Sequence, residues 1–361
     1  MSRPTAVVIG AGPAGLSAAI GLQRSGFDVV LLEQIPKIKS RVCGAFLNPE
    51  AVRHLEWLGV REQAESEGIA VRHCQLTASF IPTASVPIKQ RGREGIGLPR
   101  VRLEEMLLKK FLEEGGRFES GTKIKSLDLA PKADWTVLAD GRFSLAQGDA
   151  HKAQNGGWYG WNALFLNARQ DPGGLSLHFY PGGYVGTLTF KDGLTNVCGL
   201  LYRHRSQPLL SWENIFSEAI AAQPHLKAML ADARRETEWR GVGPLPHTTG
   251  LRPSGDFVLV GDAAAVGDPF MGEGIGRSLG AGPMLYKAVA QSGGAAVFDA
   301  RKTKTVYEHL WKKYYTSRLR LGSVTRAVIR RRWLFRPTVS FLLKIKAPLV
   351  YTRLSHAGFE P

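Results

Sequence analysis

Four apolar residues, Ala6-Val7-Val8-Ile9, run directly into the glycine-rich stretch Gly10 to Gly15. Helical periodicity follows over residues 16 to 24, then a second apolar run, Val29 to Leu32, so the segment predicts one βαβ unit. Residues 49 to 58 and 102 to 114 also carry helical periodicity, and the second stretch ends at Gly115-Gly116, where glycine can take a left-handed cap. Between them, residues 70 to 99 alternate apolar and polar in short runs interrupted by prolines 82, 87 and 99, which reads as strands of a second sheet. From residue 156 to about 203 the chain is aromatic, glycine-rich and alternating, the pattern of an antiparallel meander. Residues 212 to 233 are helical, and Asp256 to Val260 reads as a buried strand leading to Gly261-Asp262 and another glycine-rich helix start.

These patterns predict an α/β protein. A doubly wound domain comprises residues 1–70, 95–150 and 240–300; an inserted, mostly antiparallel β-sheet domain comprises 71–94 and 151–239; a helical tail covers 301–361. Its 361 residues are enough for two or more units with a substantial core, and 44% hydrophobic with 22% charged residues excludes a disordered chain. Cys43, Cys74 and Cys198 are odd in number and lack metal-ligand spacing, so no metal site is expected and a reducing, cytoplasmic setting fits.

The charge is uneven. Of the formal +16, residues 301–356 carry +14, with 15 Lys or Arg against the single acid Glu308. Trp311, Trp333, Leu334 and Phe335 lie among these cations, a composition suited to an anionic membrane surface, peripheral on its inner face. The alternative is a basic face packed on the protein's own core. No nucleic-acid motif accompanies the charge, so nucleic acid is not expected as a partner. The apolar stretch 338–351 holds Lys344 and Lys346 and is too short to span a bilayer.

The candidate chemistry begins at Gly10, Gly12 and Gly15. The first glycine permits a tight turn, the second lets a pyrophosphate approach the backbone, and the third lets helix and strand pack closely. Glu33 ends the next strand, where a carboxylate can hold both ribose hydroxyls and would repel a 2′-phosphate, so the cofactor is FAD or NAD rather than bound NADP. Downstream, Gly261-Asp262 and then Asp268-Pro269-Phe270-Met271-Gly272-Glu273-Gly274-Ile275 open a second glycine-rich helix start.

The two fingerprints in this order resemble the FAD-dependent oxidoreductase superfamily that includes p-hydroxybenzoate hydroxylase. The resemblance covers about the first 300 residues and implies FAD, with Asp262 on the ribityl chain and Gly272 and Gly274 directing a helix start at the flavin. It also implies that Arg100 lies near the pyrophosphate and that Asp140-Gly141 lies between cofactor and second domain. Arg41-Val42-Cys43-Gly44 with Pro49-Glu50-Ala51, and the 268–275 segment, are similar to the geranylgeranyl reductase-like branch, which would set Cys43 over the flavin either as a chemically active thiol or as a packing residue. The aromatic substrate motif of those reductases is replaced by His178-Phe179-Tyr180-Pro181-Gly182-Gly183-Tyr184, and Trp158-Tyr159-Gly160-Trp161 is not the halogenase Trp motif. Trp158, Trp161, His178 and Tyr184 are therefore expected to line an apolar substrate pocket or to pack the sheet.

Two reactions follow from the resemblance. One is reduction of a carbon-carbon double bond in a hydrophobic prenyl-like or polyketide-like molecule. The other is hydroxylation of an aromatic or alkenyl secondary metabolite through a flavin hydroperoxide. No second dinucleotide fingerprint remains, so NADH or NADPH is expected only as a transiently docked reductant.

Overall fold

The structure, a computed structural model, describes residues 2–146, 157–204, 211–246, 250–251, 255–331, 335–337, 340 and 359. A five-stranded parallel sheet runs in the order Phe257–Leu259, Trp135–Leu138, Thr5–Ile9, Asp28–Glu33, Arg117–Ser120. Its central strand reads as a continuous apolar run because both faces are covered, and Ala6 to Ile9 are all buried. The helix Pro13–Arg24 lies on this sheet and packs so closely on the helix Ala281–Gln291 that a β-carbon on Gly282 would stand 2.1 Å from the Ser17 carbonyl oxygen. Ser17 Oγ closes that contact by donating to Leu279 O (2.5 Å) and accepting from Gly282 N–H (3.1 Å).

The second, eight-stranded sheet brings the two inserted segments together. Gly157–Leu166, Thr195–Arg203, Gly183–Thr189 and Leu175–Tyr180 form the expected antiparallel meander. Leu175–Tyr180 then pairs in parallel with His73–Ala78, so the sheet is mixed where the chain returns from a distant segment. Arg240–Leu245 also belongs here, paired with Gly157–Leu166, so the return to the cofactor layer begins later than residue 240. Arg93–Gly97 departs from the expected division too: with Phe46–Leu47, Ile69–Val71 and Lys89–Gln90 it makes a separate small sheet beneath the helix Pro49–Leu58.

The tail opens with a long helix, Ala300–Arg330, capped by Asp299, whose carboxylate accepts Lys302 N–H at 2.9 Å. It passes through Gly322, where Asp268 and Met271 lie 3.3 and 3.4 Å from where a β-carbon would stand; glycine here permits close approach. Tyr307, Trp311, Tyr315, Arg318, Gly322, Arg326 and Ile329 recur every three or four residues and form the buried face. Two of the tail's arginines thus point inward, as does Trp311, and Phe335 is fully buried beside Phe80. Trp333 and Leu334 lie outside the described residues. Among the described residues no helix is long and apolar enough to cross a membrane.

Candidate functional site

At the carboxyl end of the parallel sheet, the turn after the first strand is built for close backbone approach. Gly10 has φ +104°, and a β-carbon there would stand 2.5 Å from Ala139 O; one on Gly15 would stand 1.8 Å from Gly10 O. Opposite Gly12 lies the guanidinium of Arg100, whose Nη2 is 3.3 Å from the position a Gly12 β-carbon would take. Arg100 opens the helix Arg100–Glu113 and is held by Glu104 (Nε to Oε1 2.7 Å), which keeps it ionised despite burial. Glu33 sits at the end of its strand, where its two carboxylate oxygens accept Ala11 N–H (2.9 Å) and Ile35 N–H (3.0 Å), with Arg41 Nη2 3.7 Å away. The acid therefore fastens the glycine turn as well as facing the cavity.

The second fingerprint approaches from the other side. Gly261 has φ +60° and abuts Ala14, so the strand Phe257–Leu259 delivers Asp262 beside the first helix. Asp262 lies between Arg277 Nη2 (3.3 Å) and Arg142 Nη2 (3.9 Å), two cations that spacing alone did not single out. Gly272 takes φ +63°, and a β-carbon on Gly274 would meet nothing within 4 Å. The helix begun there, Gly274–Leu279, is short and passes straight into Ala281–Gln291. Between the two glycines, Glu273 forms an ion pair with Arg318, its Oε1 3.1 Å from Nε.

Both fingerprints open into one cavity of about 1360 Å³, larger than the range of about 300–1,000 Å³ typical of a single small-molecule site. Its far chamber is apolar, walled by Leu76, Leu177, Phe179 and Tyr184 of the large sheet and by Ile329 and Phe335 of the tail. Cys43 lies between chamber and cradle, its carbonyl accepting Asn196 Nδ2 at 2.9 Å. Tyr184 lines the cavity, and burial pushes its hydroxyl well above the usual range.

The four expected substrate residues divide between the two faces of the large sheet. His178 points to the opposite face of the strand Leu175–Tyr180, since side chains alternate and Leu177 and Phe179 take the cavity side; its Nδ1 lies 2.8 Å from Thr77 Oγ1. Trp158 packs against Tyr202 and in one apolar cluster with the wall residues Phe179, Tyr184 and Leu200. Trp161 touches the wall, but its ring is fully buried against Phe216 and Trp239 on the other side of the sheet. The tail's share of the wall had no signal in the sequence beyond the apolar spacing of its buried face.

Residues 3–147 match the family model of the FAD binding domain. The chain carries an FAD-binding domain of the FAD-dependent oxidoreductase and hydroxylase superfamily. Beyond that domain, it is 27% identical to the menaquinone reductase of Mycolicibacterium smegmatis, over 88% of this chain and 83% of the relative. It is 23% identical to the flavin-dependent halogenase armH2 of Armillaria mellea, over 85% of this chain and 70% of the relative. Its fold matches that of Klebsiella pneumoniae HpxO complexed with FAD and uric acid, with TM-score 0.76 and 18% identity, over 98% of this chain and 97% of that one. The chain is an FAD-dependent enzyme; the geranylgeranyl reductase-like branch is not distinguished by these matches.

The residues present fit FAD. The space over Gly12 is one that a β-carbon would fill, and Arg100 places a fixed cation there, the requirement of a pyrophosphate. Some 20 residues on, a carboxylate ends the second strand, and Asp262 supplies an acceptor farther along the same cavity.

Proposed function

We propose that this enzyme reduces a carbon-carbon double bond in a hydrophobic, prenyl-like or polyketide-like molecule. The observation that carries the reading is the apolar chamber continuous with the cofactor cradle, walled by aliphatic and aromatic side chains with few polar groups. The likeness to a menaquinone reductase over most of both chains supports a lipophilic substrate. Glu33, Arg100 and Asp262 hold the cofactor, with Gly10, Gly12, Gly15, Gly261, Gly272 and Gly274 leaving room for it. Bound FAD supplies hydride transfer once reduced, with NADH or NADPH docking transiently as electron source. Leu177, Phe179 and Phe335 orient the substrate and exclude water. Tyr184 lines the same chamber and supplies the proton for the second carbon.

The test is anaerobic incubation of the reduced holoenzyme with polyprenyl quinones and linear polyenes, followed by product mass. A gain of two hydrogens without oxygen supports the reading. Product formed only with oxygen uptake, carrying one added oxygen atom, replaces it with hydroxylation.

A further inference from the structure

Residues 41–46 all line the cavity and run from the cofactor cradle to the chamber wall. Arg41 reaches Glu33 of the cradle at 3.7 Å. Gly44 lies on the large sheet, the place of its missing β-carbon 3.7 Å from Cys198 Sγ, and the Phe46 ring stands 3.6 Å from where a β-carbon on Gly272 would be. Within this partition Ala45 takes φ +57°, a left-handed conformation disfavoured for a residue that carries a β-carbon. It has to be held. Leu98 N–H donates to Ala45 O at 2.9 Å on one side, and on the other the Cys43 carbonyl accepts from Asn196 Nδ2 at 2.9 Å.

Asn196 is itself fixed, its Oδ1 accepting from Asn162 Nδ2 at 3.0 Å. A carbonyl only accepts, so the Asn196 amide has one orientation that serves Cys43, and Asn162 holds it in that orientation. Both asparagines are buried, and Asn196 shares its sheet face with Leu188, Cys198 and Leu200. An amide in such a wall is costly unless its hydrogen bonds are met, and the Cys43 backbone meets the second of them. Neither asparagine lines the cavity, so each acts on it only through the segment that covers it.

We propose that Asn196 is a positioning residue of this enzyme: through the Cys43 carbonyl it fixes the 41–46 partition on the substrate sheet, and so sets the space left for cofactor on one side and substrate on the other. Asn162 has the lesser part of orienting the Asn196 amide. The arrangement is the same whether the substrate is reduced or hydroxylated.

Two variants of the FAD-bound protein separate positioning from packing. Asn196→Leu keeps the branched shape and removes both hydrogen bonds, whereas Asn162→Leu removes only the bond between the asparagines. Both should lower the melting temperature, because each leaves a buried polar group unpaired. Only Asn196→Leu should free the partition: tryptic cleavage after Arg41, mapped by mass, should quicken about tenfold or more, and the visible absorption bands of bound FAD should shift. Asn162→Leu should stay within about twofold of the wild-type cleavage rate, with an unchanged spectrum. Wild-type cleavage in Asn196→Leu, equal acceleration in the two variants, or a freed segment with an unaltered FAD spectrum would each overturn the proposal. Where Asn196→Leu does not fold, Asn196→Asp, which keeps the acceptor for Asn162 but sets an oxygen against the Cys43 carbonyl, should release the segment in the same way. The wild type is decisive by itself: the bond after Arg41 should outlast the bond after exposed Lys37, and equal cleavage at the two would mean that nothing holds the partition.

Discussion

Arg318 and Glu50, 268 residues apart, meet as a buried bidentate pair, with Nη1 to Oε1 at 3.0 Å and Nη2 to Oε2 at 2.5 Å. The same guanidinium turns its Nε to Glu273 Oε1, between the glycines of the second fingerprint. Burial opposes ionisation of Glu50, and Arg318 with His54 more than offsets it, holding the carboxyl well below its ordinary range. One side chain of the C-terminal helix thereby joins the segment after Cys43 to the second glycine-rich turn. A second latch, Arg326 Nε to Asp268 Oδ2 at 2.7 Å, lies two turns farther along.

Replacing Arg318 by Met leaves two buried carboxylates without their cation. Loss of one partner from such a pair costs about 3–5 kcal/mol, and urea unfolding of the FAD-free protein should show a decrease of that size. Glu273 would also be released, so FAD should dissociate more readily at temperatures where the variant is still folded. A stability loss below about 1 kcal/mol would show that the pair is dispensable.

Asp262→Ala tests the far end of the cradle. FAD affinity should fall by roughly 1.5–3 kcal/mol, the value of a charged hydrogen-bond acceptor, as read by fluorescence titration of the apoprotein. Asp262 also neutralises Arg277 and Arg142, so Asp262→Asn, which keeps an acceptor but drops the charge, should lose less. Equal affinity in wild type and Ala variant assigns Asp262 to holding the two arginines.

His178 sets a pH dependence. Burial lowers it from 6.5 to about 4, with His225 acting in the same direction. Between these values the unfolded chain binds a proton that the folded chain does not, so stability rises with pH there and falls as pH drops from about 6.5 towards 4. Buried His54 is lowered too, chiefly by desolvation, and adds a slope of the same sign. His178→Gln should flatten the pH dependence of the melting temperature over this window; an unchanged slope would assign it to other groups.

The outward cations of the tail are the part left for a lipid partner. Lys313, Arg320 and Arg331 are exposed, and the exposed Val324 stands at the cavity rim. Each cation near an anionic leaflet contributes about 1 kcal/mol at low salt, so changing all three to Gln should sharply reduce co-sedimentation with vesicles containing anionic lipid. Val324→Asp should weaken the part of binding that survives physiological salt. Wild-type protein that ignores such vesicles would confine the tail to its internal role.

The cofactor layer was legible in the sequence because its signals are local. A buried parallel strand reads as an unbroken apolar run, and glycines at 10, 12 and 15 answer to atoms within a few residues or in the adjoining strand. Glu33 is legible on the same local grounds, Cys43 and Asp262 only through the family resemblance, and all three line the cavity. The aromatic sheet was legible only as a sheet: alternation says that two faces exist without saying which one meets the cavity, so pattern alone leaves open whether His178 lines a pocket or packs the sheet. The tail's cations carried a charge but no partner. Only the tertiary structure turns Arg318 and Arg326 inward, because the acids they meet, Glu50, Glu273 and Asp268, come from distant segments whose meeting depends on packing of the whole chain.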